Sequence, residues 1–239
     1  MGYSDFREPQ GQVIESLLNQ KDTLVILPTG MGKSLCFQLP ALMQEGLTLV
    51  ISPLVSLMEN QVQDLVARNL PAARLHSQQS RQQRKQVLEL LKRNQLKLLY
   101  LSPETLLSQP IWALMLDASV KIQSIVIDEA HCLVQWGTTF RPIYRRLGAA
   151  RQSIQRVKQQ SVTLGAFTAT ADPQTQREIS SVLSLRNHQT FRVSPYRQNL
   201  DLKVVRVFTP RGRRNKLLHF IELQGRTSGL VYTRSRKDR

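Results

Sequence analysis

Residues 23–34 read TLVILPTGMGKS, and they decide how the rest of the chain is interpreted. The first half is an apolar run typical of a buried strand. The second half contains Gly30 and Gly32, which permit tight backbone turns and leave no side chain between the amides and a bound anion. Lys33 and Ser34 then open an amphipathic helical pattern. A glycine-rich turn between a strand and a helix, ending in Lys-Ser, predicts a phosphate-binding loop.

A second motif, DEAH at residues 128–131, follows the apolar run 122–127. In proteins that hydrolyse nucleoside triphosphates, carboxylates at such a strand end hold Mg²⁺ and position water. We expect Asp128 to contact Mg²⁺ together with the Ser34 hydroxyl, and Lys33 to reach the β- and γ-phosphates. Glu129 is the candidate base that orients and deprotonates the attacking water. The two motifs together predict an ATP-hydrolysing domain.

Short apolar runs alternate with longer helical patterns, which predicts an α/β fold with a doubly wound, mostly parallel sheet. Ligands of such sheets bind outside the carboxyl ends of the strands, and both motifs lie at such ends. The predicted strands are 23–28, 47–52, 72–75, 97–102, 122–127, 162–167 and 190–193. The predicted helices are 7–20, 33–44, 54–68, 79–94, 103–116, 140–158 and 173–184.

The amino-acid composition of the chain limits its possible binding partners and its cellular compartment. The chain has 239 residues, enough for one large core or for one domain and part of a second. Its net charge of +16 favours a polyanion, either nucleic acid or an anionic membrane surface, although a basic surface without a partner remains open. No stretch approaches the ~20 apolar residues of a membrane span, and the N-terminus lacks an apolar signal core, so we expect a cytoplasmic protein with no membrane partner. Cys36 and Cys132 are expected to be buried, reduced thiols.

The chain resembles the RecQ family of DNA helicases, which are DEAH-type members of superfamily 2. The resemblance runs from about Tyr3 to about Ser235, and its most specific part is QWGTTFRPIY at residues 135–144. The other motifs that carry it are FREPQ at 6–10, LPTGMGKSLC at 27–36, SPLVSLM at 52–58, DEAHC at 128–132 and TATA at 168–171.

The resemblance implies a RecA-like P-loop NTPase fold that couples ATP hydrolysis, with Mg²⁺, to translocation on single-stranded DNA and to 3′ to 5′ unwinding. It implies a monomer that acts on single-stranded DNA and forked duplex. The implied nucleotide site comprises Tyr3, Arg7 and Gln10 around the adenine and Thr29, Gly30, Met31, Gly32, Lys33 and Ser34 around the phosphates. The implied DNA contacts are Ser52, Pro53, Ser102, Trp136, Phe140, Arg141 and Tyr144.

Three further residues are expected to couple nucleotide state to the rest of the domain. They are His131, Thr168 and Thr170. For His131 an ordinary hydrogen-bonded, buried histidine is equally compatible with the sequence. The rings at 136–144 are sequence-tolerant platforms for unstacked bases, or alternatively a packed aromatic cluster.

The resemblance also implies two lobes, and we assign residues 1–197 to the first and 198–239 to the beginning of the second. In the second part we predict strands at 202–208 and 229–233, a basic turn at 211–214 and a helix at 216–223. GLVYTRS at 229–235 resembles the first motif of the second lobe, while its later motifs, including the arginine finger, are not in this sequence. Zinc-binding, winged-helix and HRDC regions of relatives are also not in it. The missing motifs favour a second interpretation of this chain, a module that binds ATP and DNA without unwinding, and we expect the isolated chain to be a weak or inactive ATPase. A third interpretation, an RNA-remodelling DEAH protein, is disfavoured by the sequence at residues 135–144.

Overall fold

A computed structural model describes residues 5–135, 142–185, 187–196, 199–225 and 227–233. The strands are β1 (Thr23–Ile26), β2 (Leu47–Ile51), β3 (Ala72–Leu75), β4 (Leu98–Leu101), β5 (Ile122–Ile127), β6 (Thr163–Thr168) and β7 (Gln189–Arg192). They form one seven-stranded sheet in the order β3-β4-β2-β5-β6-β1-β7. Each neighbouring pair is parallel. The predicted parallel α/β sheet is confirmed.

The helices alternate with the strands. They are α1 (Gln10–Leu18), α2 (Lys33–Met43), α3 (Val55–Val66), α4 (Arg81–Lys92), α5 (Pro103–Leu106), α6 (Gln109–Leu116), α7 (Cys132–Gln135), α8 (Leu147–Lys158), α9 (Pro173–Val182) and α10 (Pro210–Leu223), with a 3₁₀ helix at Pro142–Arg146. In the described ranges, no helix is both long enough and apolar enough to cross a bilayer.

Prolines explain most of the differences from the predicted helix boundaries. Helix α1 begins after Pro9 and not at residue 7, because a residue that precedes proline is biased away from helical geometry. The single helix predicted over 103–116 is two helices, and the second has Pro110 in its first turn, where its missing N–H is not needed. Of the helix predicted over 140–158, the first two residues lie outside the described part of the chain and 142–146 form the 3₁₀ turn.

The sheet is covered on both faces, which is why its strands are apolar at almost every position. Successive residues of β1 alternate between two cores: Leu24 and Ile26 pack on one face, Val25 on the other. Helices α1, α2 and α3 cover the Val25 face, whereas α4, α6, α8 and α9 cover the opposite face. Because all strands are parallel, their carboxyl ends share one edge of the sheet, and every loop that follows a strand lies there.

A buried ion pair fixes the opposite edge of the sheet. The Arg151 guanidinium on α8 donates two hydrogen bonds of 2.7 Å to the Asp22 carboxylate, which immediately precedes β1. Arg151 Nε also donates to the carbonyl of Val162, and Asp22 Oδ1 accepts from the Leu164 N–H at 3.0 Å. These bonds join β1, β6 and α8 and so hold the strand that leads into the phosphate loop.

The chain divides into two compact units, residues 1–195 and residues 196–239. In the second unit, helix α10 begins at Pro210. The Thr209 hydroxyl caps this end of the helix by accepting a hydrogen bond from the Gly212 N–H. The helix therefore includes the predicted basic turn at 211–214. Within the described residues of this unit, 202–208 and 229–233 are not strands, so those two predictions were wrong. A strand requires a hydrogen-bonded neighbour, and an apolar β-type sequence does not supply one.

Candidate functional site

The predicted phosphate loop connects β1 to α2 at the carboxyl edge of the sheet. Gly30 has φ of 87° and Gly32 has φ of 69°, a left-handed region that side chains disfavour. A Cβ on Gly32 would also collide with the Gln10 side-chain amide, whereas the space beside Gly30 is open. Helix α2 begins at Lys33, directly after the loop, so its unpaired N–H groups face the loop as they do in phosphate sites.

Gln10, which the resemblance places at the adenine, is buried on α1 and contacts the phosphate loop. Its Nε2 donates to the Met31 carbonyl at 2.8 Å, and its Oε1 accepts from the Arg7 N–H at 3.0 Å. A glutamine amide has two N–H donors and an oxygen with two lone pairs, so each end retains capacity for one more partner. Arg7 is exposed beside it, and Tyr3 lies outside the described residues.

Lys33 and Glu129, from the two diagnostic motifs, are in direct contact. Lys33 Nζ lies 3.2 Å from Glu129 Oε1, and the two side chains are only 14% and 22% exposed. The Glu129 backbone has a φ of 51°, an uncommon left-handed conformation for a residue with a side chain. Hydrogen bonding to His131 and the charge of Lys33 hold the pKa of Glu129 below its ordinary value. The carboxylate is therefore ionised at neutral pH, as a base must be.

Asp128 is the buried member of the acidic pair. It follows β5, and its backbone N–H donates to the Ile51 carbonyl at 2.9 Å. Its Oδ1 accepts from the Glu129 N–H at 3.0 Å. Burial raises the pKa of Asp128, and the nearby charge of Lys33 opposes that effect. Ser34, in the first turn of α2, is half-buried. A carboxylate and a hydroxyl are the oxygen ligands that Mg²⁺ takes in nucleotide sites, so these residues fit the metal.

His131 contacts Thr168, one of the two threonines with which it was predicted to couple, and it also contacts Glu129. Its Nδ1 lies 3.0 Å from Thr168 Oγ1 and 3.3 Å from Glu129 Oε2. The Thr168 hydroxyl donates its single proton to the Thr170 carbonyl at 3.1 Å, so Nδ1 must be the donor toward it. The Cys132 sulfur, 3.6 Å from Nε2, and the Glu129 carboxylate raise the pKa of His131 to about 9. The His131 imidazole is thus cationic at neutral pH.

A second concave feature, which we call the strand-end cleft, lies at the same edge of the sheet. Its volume is about 440 Å³, and it is formed after β2, β3 and β4. The sequence-predicted DNA contacts Pro53 and Ser102 line it. The remaining lining residues are Val55, Ser77, Arg84, Glu104, Thr105 and Ser108.

Sequence reasoning did not identify Arg84 or Ser77 as part of this cleft. Arg84 lies on α4, and its Nη1 donates to the His76 carbonyl at 3.1 Å, which holds the guanidinium near the end of β3. A capping box between Ser80 and Gln83 fixes the start of α4. That box is visible in the sequence and could have indicated that Arg84 lies in the first turn, close to the strand ends.

Of the other predicted DNA contacts, Ser52 and Tyr144 are described and buried, and the remaining three lie outside the described residues. Ser52 is buried after β2, and its hydroxyl has no hydrogen-bond partner among the described residues. Tyr144 is fully buried and its ring belongs to the core, which corrects the expectation that it is a platform for a base, because a stacking ring must expose a face. Trp136, Phe140 and Arg141 lie outside the described residues.

Comparison with solved structures agrees with the fold. The crystal structure of the DUF1998 helicase MrfA superposes with a TM-score of 0.73 at 17% identity, covering 99% of this chain and 37% of that chain. The crystal structure of the Pyrococcus furiosus Hef helicase domain gives a TM-score of 0.57 at 21% identity, covering 78% of this chain and 38% of that chain. At these identities the likeness concerns the fold alone, and it confirms the predicted RecA-like fold.

Comparison with curated sequences is more specific. An "ATP-dependent DNA helicase RecQ" from Synechocystis is 60% identical over 98% of this chain and 49% of that protein. Proteins of the same name from Haemophilus influenzae and Bacillus subtilis are 42% and 37% identical over 98% and 99% of this chain, which spans 36% and 39% of their lengths. The chain thus spans half or less of the length of these relatives, and the resemblance to RecQ is confirmed over that part.

The family model described as "DEAD/DEAH box helicase" matches residues 7–179. The match includes the phosphate loop, the DEAH motif and the strand-end cleft. It covers more than half of the chain. The chain therefore belongs to the DEAD/DEAH box helicase family.

Proposed function

We propose that this chain is the nucleotide-binding part of a RecQ-type, ATP-dependent DNA helicase that moves 3′ to 5′ on single-stranded DNA. The observation that carries the proposal is the contact between Lys33 and Glu129, which joins the phosphate loop to the acidic motif. Residues 1–197 would form the first lobe, and 198–239 the beginning of the second. The identity with RecQ proteins over nearly the whole chain supports this choice within the family.

The nucleotide chemistry follows from the positions of four side chains. The backbone of the phosphate loop and Lys33 would hold the phosphates. Ser34 and Asp128 would hold Mg²⁺, which neutralises phosphate charge when bound. Glu129 would orient the attacking water and take its proton, since its carboxylate is ionised. Gln10 and Arg7 would read the adenine, with Gln10 using the donor and acceptor that its present bonds leave available.

Contact with DNA is proposed at the strand-end cleft. Ser102, Ser77 and Arg84 would bind phosphates there, and such contacts fix the position of a strand without reading its sequence. The net charge of +16 for the whole chain favours a polyanionic partner. Trp136, Phe140 and Arg141 would add stacking platforms that report the presence of single-stranded DNA to the ATPase.

Three finer points belong to the same proposal. The substrate would be single-stranded or forked DNA, and the protein would act as a monomer. It would work in the cytoplasm, which the buried, free thiols of Cys36 and Cys132 favour. A RecQ-type activity makes DNA and not RNA the preferred polymer, as the identity with RecQ proteins suggests.

The test is ATP turnover by the purified chain with no polymer, with single-stranded DNA and with single-stranded RNA of matched length and salt. We expect weak turnover, because the arginine finger is not in this sequence. Turnover should rise with DNA more than with RNA and should fall strongly in Glu129→Gln. Equal stimulation by RNA would favour an RNA-remodelling protein. Binding of ATP and DNA with no turnover, whether a polymer is present or not, would favour a module that does not unwind by itself.

A further inference from the structure

A chain of hydrogen-bonded side chains connects the buried Tyr100 to the buried Asp128 through two half-buried glutamines that lie outside the two motifs. Asp128 Oδ2, the carboxylate oxygen that is not bonded to the Glu129 N–H, lies 3.5 Å from Gln61 Nε2 on α3. Asp128 is only 2% exposed, so its second oxygen depends on a protein donor for polar contact until a ligand arrives. Gln61 is separated from Asp128 by 67 positions in the sequence and lies in neither diagnostic motif.

The orientation of the Gln61 amide is set by its other end. Gln61 Oε1 accepts from Gln38 Nε2 at 3.5 Å, and the same Gln38 nitrogen donates to the Tyr100 hydroxyl at 2.9 Å. An amide whose oxygen faces a donor must turn its NH₂ group the other way. Gln38 therefore directs the Gln61 N–H groups toward Asp128, and the fully buried Tyr100 fixes Gln38.

The helices and the strand that carry these polar residues also flank the phosphate loop and the strand-end cleft. Gln38 is on α2, which begins at the phosphate loop, and Gln61 is on α3, whose first residue, Val55, lines the strand-end cleft. Tyr100 is on β4, which ends just before the cleft residue Ser102. Asp128 is thus linked through Gln61 and Gln38 to a helix and a strand that lead to the phosphate loop and to the strand-end cleft.

We propose that Gln61 is a positioning residue that orients the Asp128 carboxylate for Mg²⁺. This inference rests on the proposed function, since it assigns a partner to the residue that would hold the metal. With the Glu129 N–H on Oδ1 and the Gln61 N–H on Oδ2, each carboxylate oxygen has one donor and retains capacity to accept from the metal's bound water or to bind the metal. Partners of this type fix the orientation of a metal-binding side chain, and their loss typically weakens metal affinity by about 10–100-fold. The 3.5 Å distance is long for a hydrogen bond and is expected to shorten when the site is loaded.

The alternative is that Gln61 only satisfies a buried polar group. The two roles differ in what they predict for a variant. Loss of a structural hydrogen bond lowers stability and weakens nucleotide binding equally with and without metal. Loss of a positioning bond weakens only the part of the binding that depends on metal.

The test compares Gln61→Met with Gln63→Met. Both changes keep an unbranched side chain of similar length on α3, but Gln63 is exposed. Binding of a fluorescent, non-hydrolysable ATP analogue to the 239-residue chain is measured in EDTA and during a Mg²⁺ titration, together with thermal unfolding. Gln61→Asn, which keeps the amide but shortens its reach, is the second variant in case Gln61→Met folds poorly.

We expect the half-saturating Mg²⁺ concentration to rise roughly tenfold in Gln61→Met and Gln61→Asn, with unchanged affinity in EDTA and with Gln63→Met like the wild type. The proposal is overturned if the Gln61 variants titrate like Gln63→Met. It is also overturned if they lose affinity equally in EDTA and in Mg²⁺ with a lowered melting temperature. A wild-type chain that binds no nucleotide at all would overturn the proposed function, and this inference with it.

Discussion

Lys33 Nζ, at the end of the phosphate loop, lies 3.2 Å from Glu129 Oε1 after β5, and this contact joins the loop to the DEAH motif. In the proposed nucleotide site, Lys33 is thus paired with the candidate base. His131 Nδ1 lies 3.3 Å from the other Glu129 oxygen, so the carboxylate has a second basic partner. Both contacts lower the pKa of Glu129 and so favour its ionised form.

Glu129→Gln separates binding from chemistry. The amide keeps the size of the carboxylate but cannot take a proton from water, so turnover should fall by about 10²–10⁴-fold. Lys33 would lose only its resting partner, so affinity for Mg·ATP should stay within a few-fold of the wild type. Steady-state ATPase and equilibrium nucleotide binding measure the two effects. A parallel loss of both would contradict the assignment of Glu129 as the base.

The Asp22–Arg151 pair should dominate local stability at the edge that leads into the phosphate loop. Asp22→Asn leaves the Arg151 guanidinium buried without its counter-charge and should lower the free energy of unfolding by about 3 kcal/mol. Asp64→Asn, the same change at an exposed position on α3, is the control and should leave stability unchanged. Urea denaturation checks both. Equal midpoints for the two variants would show that the pair contributes little.

Arg84 should contribute one phosphate contact to DNA binding. In Arg84→Ala the slope of log affinity against log salt should become shallower by about 1, with similar loss for every sequence tested. Arg93→Ala is the matched control, because Arg93 is exposed immediately after α4, about 14 Å from Arg84 along the helix axis. Fluorescence anisotropy with labelled single strands over a series of salt concentrations measures the slope. An unchanged slope in Arg84→Ala would remove the strand-end cleft from the DNA path.

The aromatic segment after the DEAH motif should report DNA binding to the ATPase. Trp136→Ala and Phe140→Ala should reduce the stimulation of ATP turnover by single-stranded DNA more than they reduce DNA affinity, because each base-stacking ring is one contact among many. Turnover and anisotropy are measured on the same preparations. Full stimulation in both variants would contradict a sensing role for these rings.

Local patterns in the sequence predicted most of the first unit. The phosphate loop and strands β3 and β5 are where the apolar runs and glycines place them, because buried parallel strands are apolar at each position and the turn needs residues that tolerate positive φ. The predicted strands 202–208 and 229–233 failed for the complementary reason. A strand depends on pairing with distant chain, and a local pattern cannot guarantee that pairing.

The side chains that support the site were harder to predict than the motifs. Gln61 approaches Asp128 from a different helix, and Arg84 reaches the strand-end cleft from α4. Both contacts are set by tertiary packing between segments far apart in the chain, and a polar residue on a helix is ordinarily solvated. Tyr144 was mispredicted for a related reason: the motif that contains it does not show which of its aromatic rings is buried.

The most direct measurement of the central claim is equilibrium binding of Mg·ATP to the wild-type chain and to Lys33→Ala. Lys33 is the cation at the phosphate loop that reaches Glu129, and its removal eliminates the charge that would face the β- and γ-phosphates. We expect saturable binding by the wild type and no measurable binding by Lys33→Ala. A thermal unfolding transition like that of the wild type would show that the variant is folded. Binding of Mg·ATP by Lys33→Ala with wild-type affinity would contradict the assignment of this loop as the nucleotide site.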